Sequence, residues 1–470
     1  MSTELIAFIA LASLLVLILV EVPVGIAITF AGTIGVVLLY GYAQAGTVLG
    51  ATAYTSTAKY ALLVVPMYVL LGCVVANAGI GAGIYRVTNK VVGRFPGGLA
   101  ATAVAATSVF SGISGSSAAD VATFGRVSVT EMARHGYSKA EAAAVVAAAG
   151  AFAVLIPPSI VLIIYGIIAQ VSIGALLLAA IIPGVLSALA LMTFVIVRAF
   201  VRQRLGWVPE GETAAASTMS SATEVASGVL VAGEEIFEVE ADGRGPRAWL
   251  QDGLAVMYAA IIFLIVIGGL YSGIFTATEA GAVGALAALI IALVARGSRS
   301  TSVARLLTTS MRETVDVTSM IFLLLLGGSV FTFFLASSGL ADDMASWALG
   351  LPVSPHLVVA LFLVLLIPLG MFLDGLSILL LTVPLAAPVV MDLGFDGIWF
   401  GILMIKMIEI GLLTPPVGIN VFIISGIAGI PAEKIFRQTL PFVILDLCVT
   451  AFIFSVPGVV TWLPNLAGVG

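Results

Sequence analysis

The sequence predicts an all-α polytopic membrane protein. It is expected to be an inverted-topology repeat with two re-entrant helical hairpins and two broken helices. Three observations carry this prediction. The 470-residue chain is 61% hydrophobic and only 9% charged, with a mean hydropathy of +1.21, against about 25% charged residues in an ordinary soluble domain. Its apolar runs are about 20 residues long and lack the alternation of a barrel strand. Finally, two apolar stretches interrupted by glycine and polar residues have both flanks on one side of the membrane. No single span does that.

The elements follow in chain order. Spans are expected at 5–22, 23–41, 60–79, 140–170, 174–199, 253–272, 274–295, 314–338, 397–428 and 440–463. The N-terminal run has no basic n-region and no small-residue cleavage site, so it reads as a retained first span. Lys and Arg in short loops mark the cytoplasmic side. They do so at Arg86, Lys90 and Arg94; at Arg126, Arg134 and Lys139; and at Arg198, Arg202 and Arg204. Arg296, Arg299, Arg305 and Arg312 mark a fourth such loop, and Lys434 with Arg437 a fifth. The segments 42–58 and 339–356 lack Lys and Arg, and Asp342 and Asp343 sit in the second; these read as outside loops.

Both flanks of 97–125 are then cytoplasmic, and both flanks of 357–391 are outside. Each segment reads as a hairpin that enters and turns back, with "SGISGSS" and "LGMFLDG" near the turns. Non-helical backbone at membrane depth is tolerated only inside protein or against a watery cavity, so the two tips are expected to line a site. Residues 200–252 are acidic and rich in Gly, Ser and Ala, and read as a mobile cytoplasmic linker between residues 1–199 and 253–470.

Those two halves superpose at a shift of 258 residues. Pro157-Pro158 falls on Pro415-Pro416, Pro183 on Pro441, Glu21 on Glu279, Gly112 on Gly370 and Ser116 on Asp374. Matched spans run in opposite directions by the charge reading, which makes the repeat inverted, a pattern of secondary transporters. Each diproline breaks a long apolar helix, since proline removes an amide donor and clashes with the preceding turn. Freed carbonyls suit a cation and half-helix N-termini suit an anion. A Na+-coupled carrier of organic anions needs both.

The candidate site residues carry structural alternatives. Ser117 and Asp120 fit a capping box that starts the returning arm of the first hairpin. Ser111, Gly112, Ser114, Gly115 and Ser116 are left over, as candidates for Na+ ligation and, for Ser114, Ser116 and Ser117, substrate contact. Gly370 and Asp374 are Na+ candidates in the second tip, Asp374 equally a helix cap. Pro157, Pro415, Thr414 and Gly418 are Na+ candidates at the breaks, with Thr414 also a substrate contact and the expected cap of the next helix; Asn420 rides with the second break. Lys406 is a substrate candidate, but Glu409 lies three residues on and offers it a partner. Glu21, Glu279 and Asp446 read as interfacial, His135 and His356 as loop residues without a role, and Cys73 and Cys448 as buried small hydrophobes.

"PMYVLLG", "RFPGGLA", "SGISGSSAADVATFG", "IPPSIVLIIYG", "IIPGVL", "GMFLDGLSILLLTVPL" and "EIGLLTPPVGINVF" together resemble the large membrane subunit of tripartite ATP-independent periplasmic (TRAP) transporters. The resemblance covers nearly all of the chain except 200–252. It implies an ion-transporter-superfamily fold working by an elevator motion in a bacterial or archaeal cytoplasmic (inner) membrane. It also implies two partners on separate chains: a small four-helix membrane subunit, and a periplasmic binding protein that delivers a small organic acid (a carboxylate). Na+ is the expected coupling ion, and no organic cofactor is expected.

Other classes fit less well. A net charge of −6 with no basic stripe argues against nucleic acid. An intramembrane serine protease using Ser114 or Ser116 needs a base in reach, and no histidine lies in an expected span. A channel does not explain two opposed hairpins. The nearest alternative is a stand-alone divalent-anion or arsenite-type carrier of similar architecture.

Overall fold

A computed structural model describes residues 2–20, 22–204, 246–295, 303–340, 343, 346, 350 and 352–468; of 246–251 and 295 it describes the backbone. The expectations for Glu21, Arg296, Arg299, Asp342 and linker residues 205–245 lie outside these residues. The described secondary structure is helical, and seven of its helices are long and apolar enough to cross a membrane.

The first group is α1 (Thr3–Leu19), α2 (Val24–Tyr40), α3 (Tyr42–Thr57) and, after a 3-10 turn, α4 (Val64–Asn77). The uncharged segment 42–58, expected as a loop, is thus the helix α3. Low hydropathy there reflects its Thr, Ser and Gly residues, not a want of helix. Then come α5 (Ile80–Val92), α6 (Gly98–Ser114), α7 (Ser117–Arg134), α8 (Lys139–Ala151), α9 (Ile160–Ala169) and α10 (Ile173–Arg204). After the linker, α11 (Pro246–Phe263) passes through a π-turn into the short α12 (Gly269–Tyr271). It is followed by α13 (Ala277–Ala295) and the 35-residue α14 (Val303–Ser337). The remainder is α15 (Pro355–Gly370), α16 (Gly375–Asp392), α17 (Gly397–Gly411), α18 (Ile419–Ala428), α19 (Ala432–Ser455) and α20 (Gly458–Leu466).

Hydropathy ends a span where charge begins, but a helix does not stop there. Arg305 and Arg312, expected in a loop, lie on α14, and Arg198, Arg202 and Arg204 lie on α10. At 1.5 Å per residue α14 is about 52 Å long, well beyond an apolar layer of about 30 Å.

The 258-residue shift reappears in the element boundaries. α6–α7 maps onto α15–α16, α8 onto α17, α9 onto α18 and α10 onto α19, most starts agreeing within a residue. The hairpins therefore span 98–134 and 355–392, longer than the sequence suggested. The central helices α8 and α17 are buried nearly all round, as expected of a helix with no polar stripe. α8 achieves this with alanines, which let α6, α7, α18 and α19 approach it closely. α17 fills its own surroundings with Trp399, Phe400 and Met404. A separate smaller core joins α1, α2 and α3 to Phe331, Phe334 and Leu335 of α14.

Candidate functional site

In the first hairpin, α6 ends at Ser114 and Gly115 turns the chain at φ +61°. That left-handed conformation favours glycine. The turn is also packed, since a Cβ on Gly115 would lie 2.8 Å from the Pro158 carbonyl oxygen. The first tip and the first break therefore touch through backbone.

The returning helix α7 is capped by Ser116, whose Oγ accepts from the Ala119 amide at 3.4 Å. The expected capping box at Ser117 and Asp120 is thus displaced by one residue. Asp120 has a different task. It is wholly buried, and its two carboxylate oxygens accept from the Ser111 and Ser114 hydroxyls, short contacts that pin the two arms together. Ser111 also reaches the Thr107 carbonyl at 2.8 Å. Ser117 points elsewhere: its hydroxyl donates to Asn420 Oδ1 at 2.8 Å, and Asn420 Nδ2 donates to the Ala147 carbonyl at 3.2 Å.

The second tip repeats the logic with other residues. Asp374 caps α16, accepting from the Leu376 and Ser377 amides at 3.0 and 3.3 Å and from the Ser377 hydroxyl. It stands 258 positions after Ser116, so both returning helices are capped at equivalent positions. Gly370 lies against Gly411 at the end of α17; a Cβ on Gly370 would come within 2.8 Å of the Gly411 Cα. Gly375 faces Ile408 and, across the repeat, Val154.

The breaks are alike in course and unlike in exposure. Both Pro157-Pro158 and Pro415-Pro416 are cis. The first pair is buried, the second exposed. Ser159 caps α9, accepting from the Leu162 amide and donating to the Val154 carbonyl at 2.6 Å. Thr414 does not cap α18 as expected. Its hydroxyl turns back to the Ile410 carbonyl at 2.7 Å, and α18 starts three residues beyond the prolines from Gly418 at φ +48°.

Each returning arm packs on the other repeat's half-helix: α7 on α18, α16 on α9. Tips and breaks thus form one crossed cluster. The first tip meets Pro158 through Gly115 and Asn420 through Ser117, and the second tip meets Gly411 through Gly370 and Val154, ahead of the first break, through Gly375. The cluster's oxygens are hydroxyls, amide carbonyls and the Asp374 carboxylate, with Asp120 buried behind the first tip, a hard-ligand set suited to a small cation. Replacing Asn420 by alanine removes both of its bonds. The expected cost is about 1–3 kcal/mol, read as a lower midpoint of thermal unfolding; Asn420→Asp, which keeps the acceptor for Ser117, should fall in between.

Lys406 belongs to a second group. It is fully buried on α17, and its Nζ donates to Glu409 at 2.8 Å, to Ser187 at 3.0 Å and to Asp446. The sequence anticipated Glu409. It missed Asp446, which is not interfacial but 8% exposed, because no local spacing links it to Lys406. Glu279 is exposed and accepts from the Thr276 amide at 2.8 Å, in the first turn of α13. His356 lies in the first turn of α15, its ring edge-on to Phe395 at 4.9 Å, and His135 caps the end of α7. Cys73 is half-buried and Cys448 exposed, neither of them a core residue.

Comparison with known proteins gives these features a context. The family model described as "Tripartite ATP-independent periplasmic transporter, DctM component" matches residues 11–459. The chain is 31% identical over 416 residues to the C4-dicarboxylate TRAP transporter large permease protein of Pseudomonas aeruginosa, covering 88% of each. It is 31% identical over 408 residues to the sialic acid TRAP transporter large permease protein of Vibrio cholerae, covering 87% of each. Among solved structures, the YdaH transporter of Alcanivorax borkumensis superposes with a TM-score of 0.62 at 17% identity, over 89% of this chain and 90% of that one. That last likeness speaks for the fold alone.

Proposed function

The chain belongs to the tripartite ATP-independent periplasmic transporter family, as a DctM-type large membrane subunit, and on that premise we propose that it carries a small organic acid inward, coupled to Na+. The observation that carries this reading is the crossed cluster. The two hairpin tips pack against the segments that flank the two helix breaks, where the helices are interrupted and backbone carbonyls are freed. Ser111, Gly112, Gly115, Pro157, Gly370, Asp374, Thr414, Pro415 and Gly418 are the proposed Na+ contacts. Ser114, Ser116, Ser117 and Thr414 are proposed to meet the substrate. Lys406 is withdrawn from that set, because binding a substrate carboxylate would require it to leave three buried partners.

The carboxylate class agrees with relatives named for C4-dicarboxylates, sialic acid and 2,3-diketo-L-gulonate. The motion fits an elevator. The separate core of α1–α3 with the end of α14 is a natural scaffold, against which the hairpins and central helices slide in a cytoplasmic membrane. The repeats would run in opposite directions, the first hairpin opening to the cytoplasm and the second to the periplasm. A small membrane subunit and a periplasmic binding protein complete the machine. The test is uptake into liposomes containing both membrane subunits. Uptake is expected only with an inward Na+ gradient and the loaded binding protein; free substrate entering without that protein, or entry driven by a proton gradient alone, defeats the reading.

A further inference from the structure

A cavity of about 10 Å³, room for about one water-sized occupant, lies between α8, α10, α17 and α19. Its walls include Ser187 and Leu445, and Leu191 and Val449. Within each pair the positions are 258 residues apart, so the cavity sits where the two repeats face each other. Ala148, which also lines it, is the repeat equivalent of Lys406. The first repeat thus has small apolar residues, Ala148, Ala151 and Ala188, where the second has Lys406, Glu409 and Asp446. The charge is a feature of one repeat only, and helix packing does not require it.

Lys406 brings one positive charge against two carboxylates. Each carboxylate spends one oxygen on Lys406. The other two, Glu409 Oε1 and Asp446 Oδ2, are buried and have no hydrogen-bond partner among the described residues. Both residues line the cavity, and Glu409 is 1% exposed. With both acids ionised the group holds a net charge of −1 in an apolar setting, which is costly. Among the described residues no other charged side chain lines it. α8 presents Ala148 and α10 presents Ser187, while Arg198 and Arg202 of α10 pair with Glu141; Arg198 stands over the ring of Phe442, a wall residue, 5.9 Å from its centroid, and so is the nearest further charge. On α19, Glu433, Lys434 and Arg437 lie at least two turns before Asp446. Beyond the two carboxylates the walls offer one side-chain oxygen, that of Ser187, short of the about six oxygen ligands that hard cations gather.

We propose that this cavity is a proton-binding site: one proton is held by Glu409 or Asp446, its O–H turned into the cavity, and the group is electrically neutral. Nothing in the Na+-coupled reading calls for it. It gives the carrier a second, protonic site at the junction of the repeats.

Infrared spectroscopy of the purified full chain at neutral pH tests this without any transport assay. The protonated-carboxyl C=O stretch, identified by its shift in D2O, is compared among wild type, Glu409→Gln, Asp446→Asn and, to mark the band of a wholly buried acid outside the triad that has no basic partner, Asp120→Asn. Each triad variant leaves one carboxylate to pair with Lys406, so each retains a neutral group and has reason to fold. The expected result is loss of one protonated carboxyl's intensity in Glu409→Gln or Asp446→Asn, beyond any change in Asp120→Asn. Spectra of both triad variants that superpose on the wild type in this region overturn the proposal; if one variant does not fold, the other decides.

Discussion

Replacing Lys406 by methionine is expected to destabilise the purified protein by about 3–5 kcal/mol, the cost of removing one member of a buried ion pair. Methionine fills nearly the same volume, so little of this comes from a cavity. The cost is that of what remains. Glu409 and Asp446 lose their only shared donor, and Ser187 loses a contact. The contrast is with a variant that removes the whole group, Lys406→Met with Glu409→Leu and Asp446→Leu. Buried ion pairs replaced by apolar residues are often neutral for stability, so this triple variant should unfold within a few degrees of wild type. Thermal unfolding in detergent, followed by intrinsic fluorescence, measures both. A single variant as stable as wild type would mean that the acids find other partners, and that Lys406 is not what holds them.

Much of the fold was legible because its signals are local. Apolar length marks spans, proline marks breaks, and two glycine-rich tips mark hairpins. The 258-residue shift then predicted equivalences that recur in helix boundaries and caps, Ser116 with Asp374 most directly. The errors share one cause, which is that local patterns do not know about tertiary partners. Ser117 and Asp120 have the spacing of a capping box, but Asp120 accepts its hydrogen bonds from the other arm and Ser117 donates its own to the other repeat. Asp446 looked interfacial because it sits near the start of an apolar run, and its partner is 40 residues back. α3 was lost because a helix packed on neighbours needs no hydrophobic signature of its own. Which half-helix each hairpin would touch had no signal in one sequence at all.

Asp120→Ala should abolish most uptake, at least tenfold, with a chain that still inserts and purifies. Asp120 is the one acidic group in the first tip, and the Ser111 and Ser114 hydroxyls both end on it. Removing it leaves Ser114 buried without that acceptor, at about 1–3 kcal/mol. Ser111 loses less, since it keeps the Thr107 carbonyl. The damage is therefore aimed at the turn, Ser114-Gly115-Ser116, and not at the hairpin as a whole. If Ser111, Gly112 and Gly115 hold Na+, a slackened tip raises the Na+ concentration needed for half-maximal uptake before it lowers the maximal rate. Asp120→Asn, which keeps one acceptor oxygen, should shift the Na+ dependence less and retain more uptake. Ser114→Ala in the Asp120→Ala background should add little to the shift in Na+ dependence, because on the tip's geometry the two groups act through one contact. Wild-type Na+ dependence in Asp120→Ala would remove the first tip from the coupling site and leave the second tip, with Asp374, to carry it.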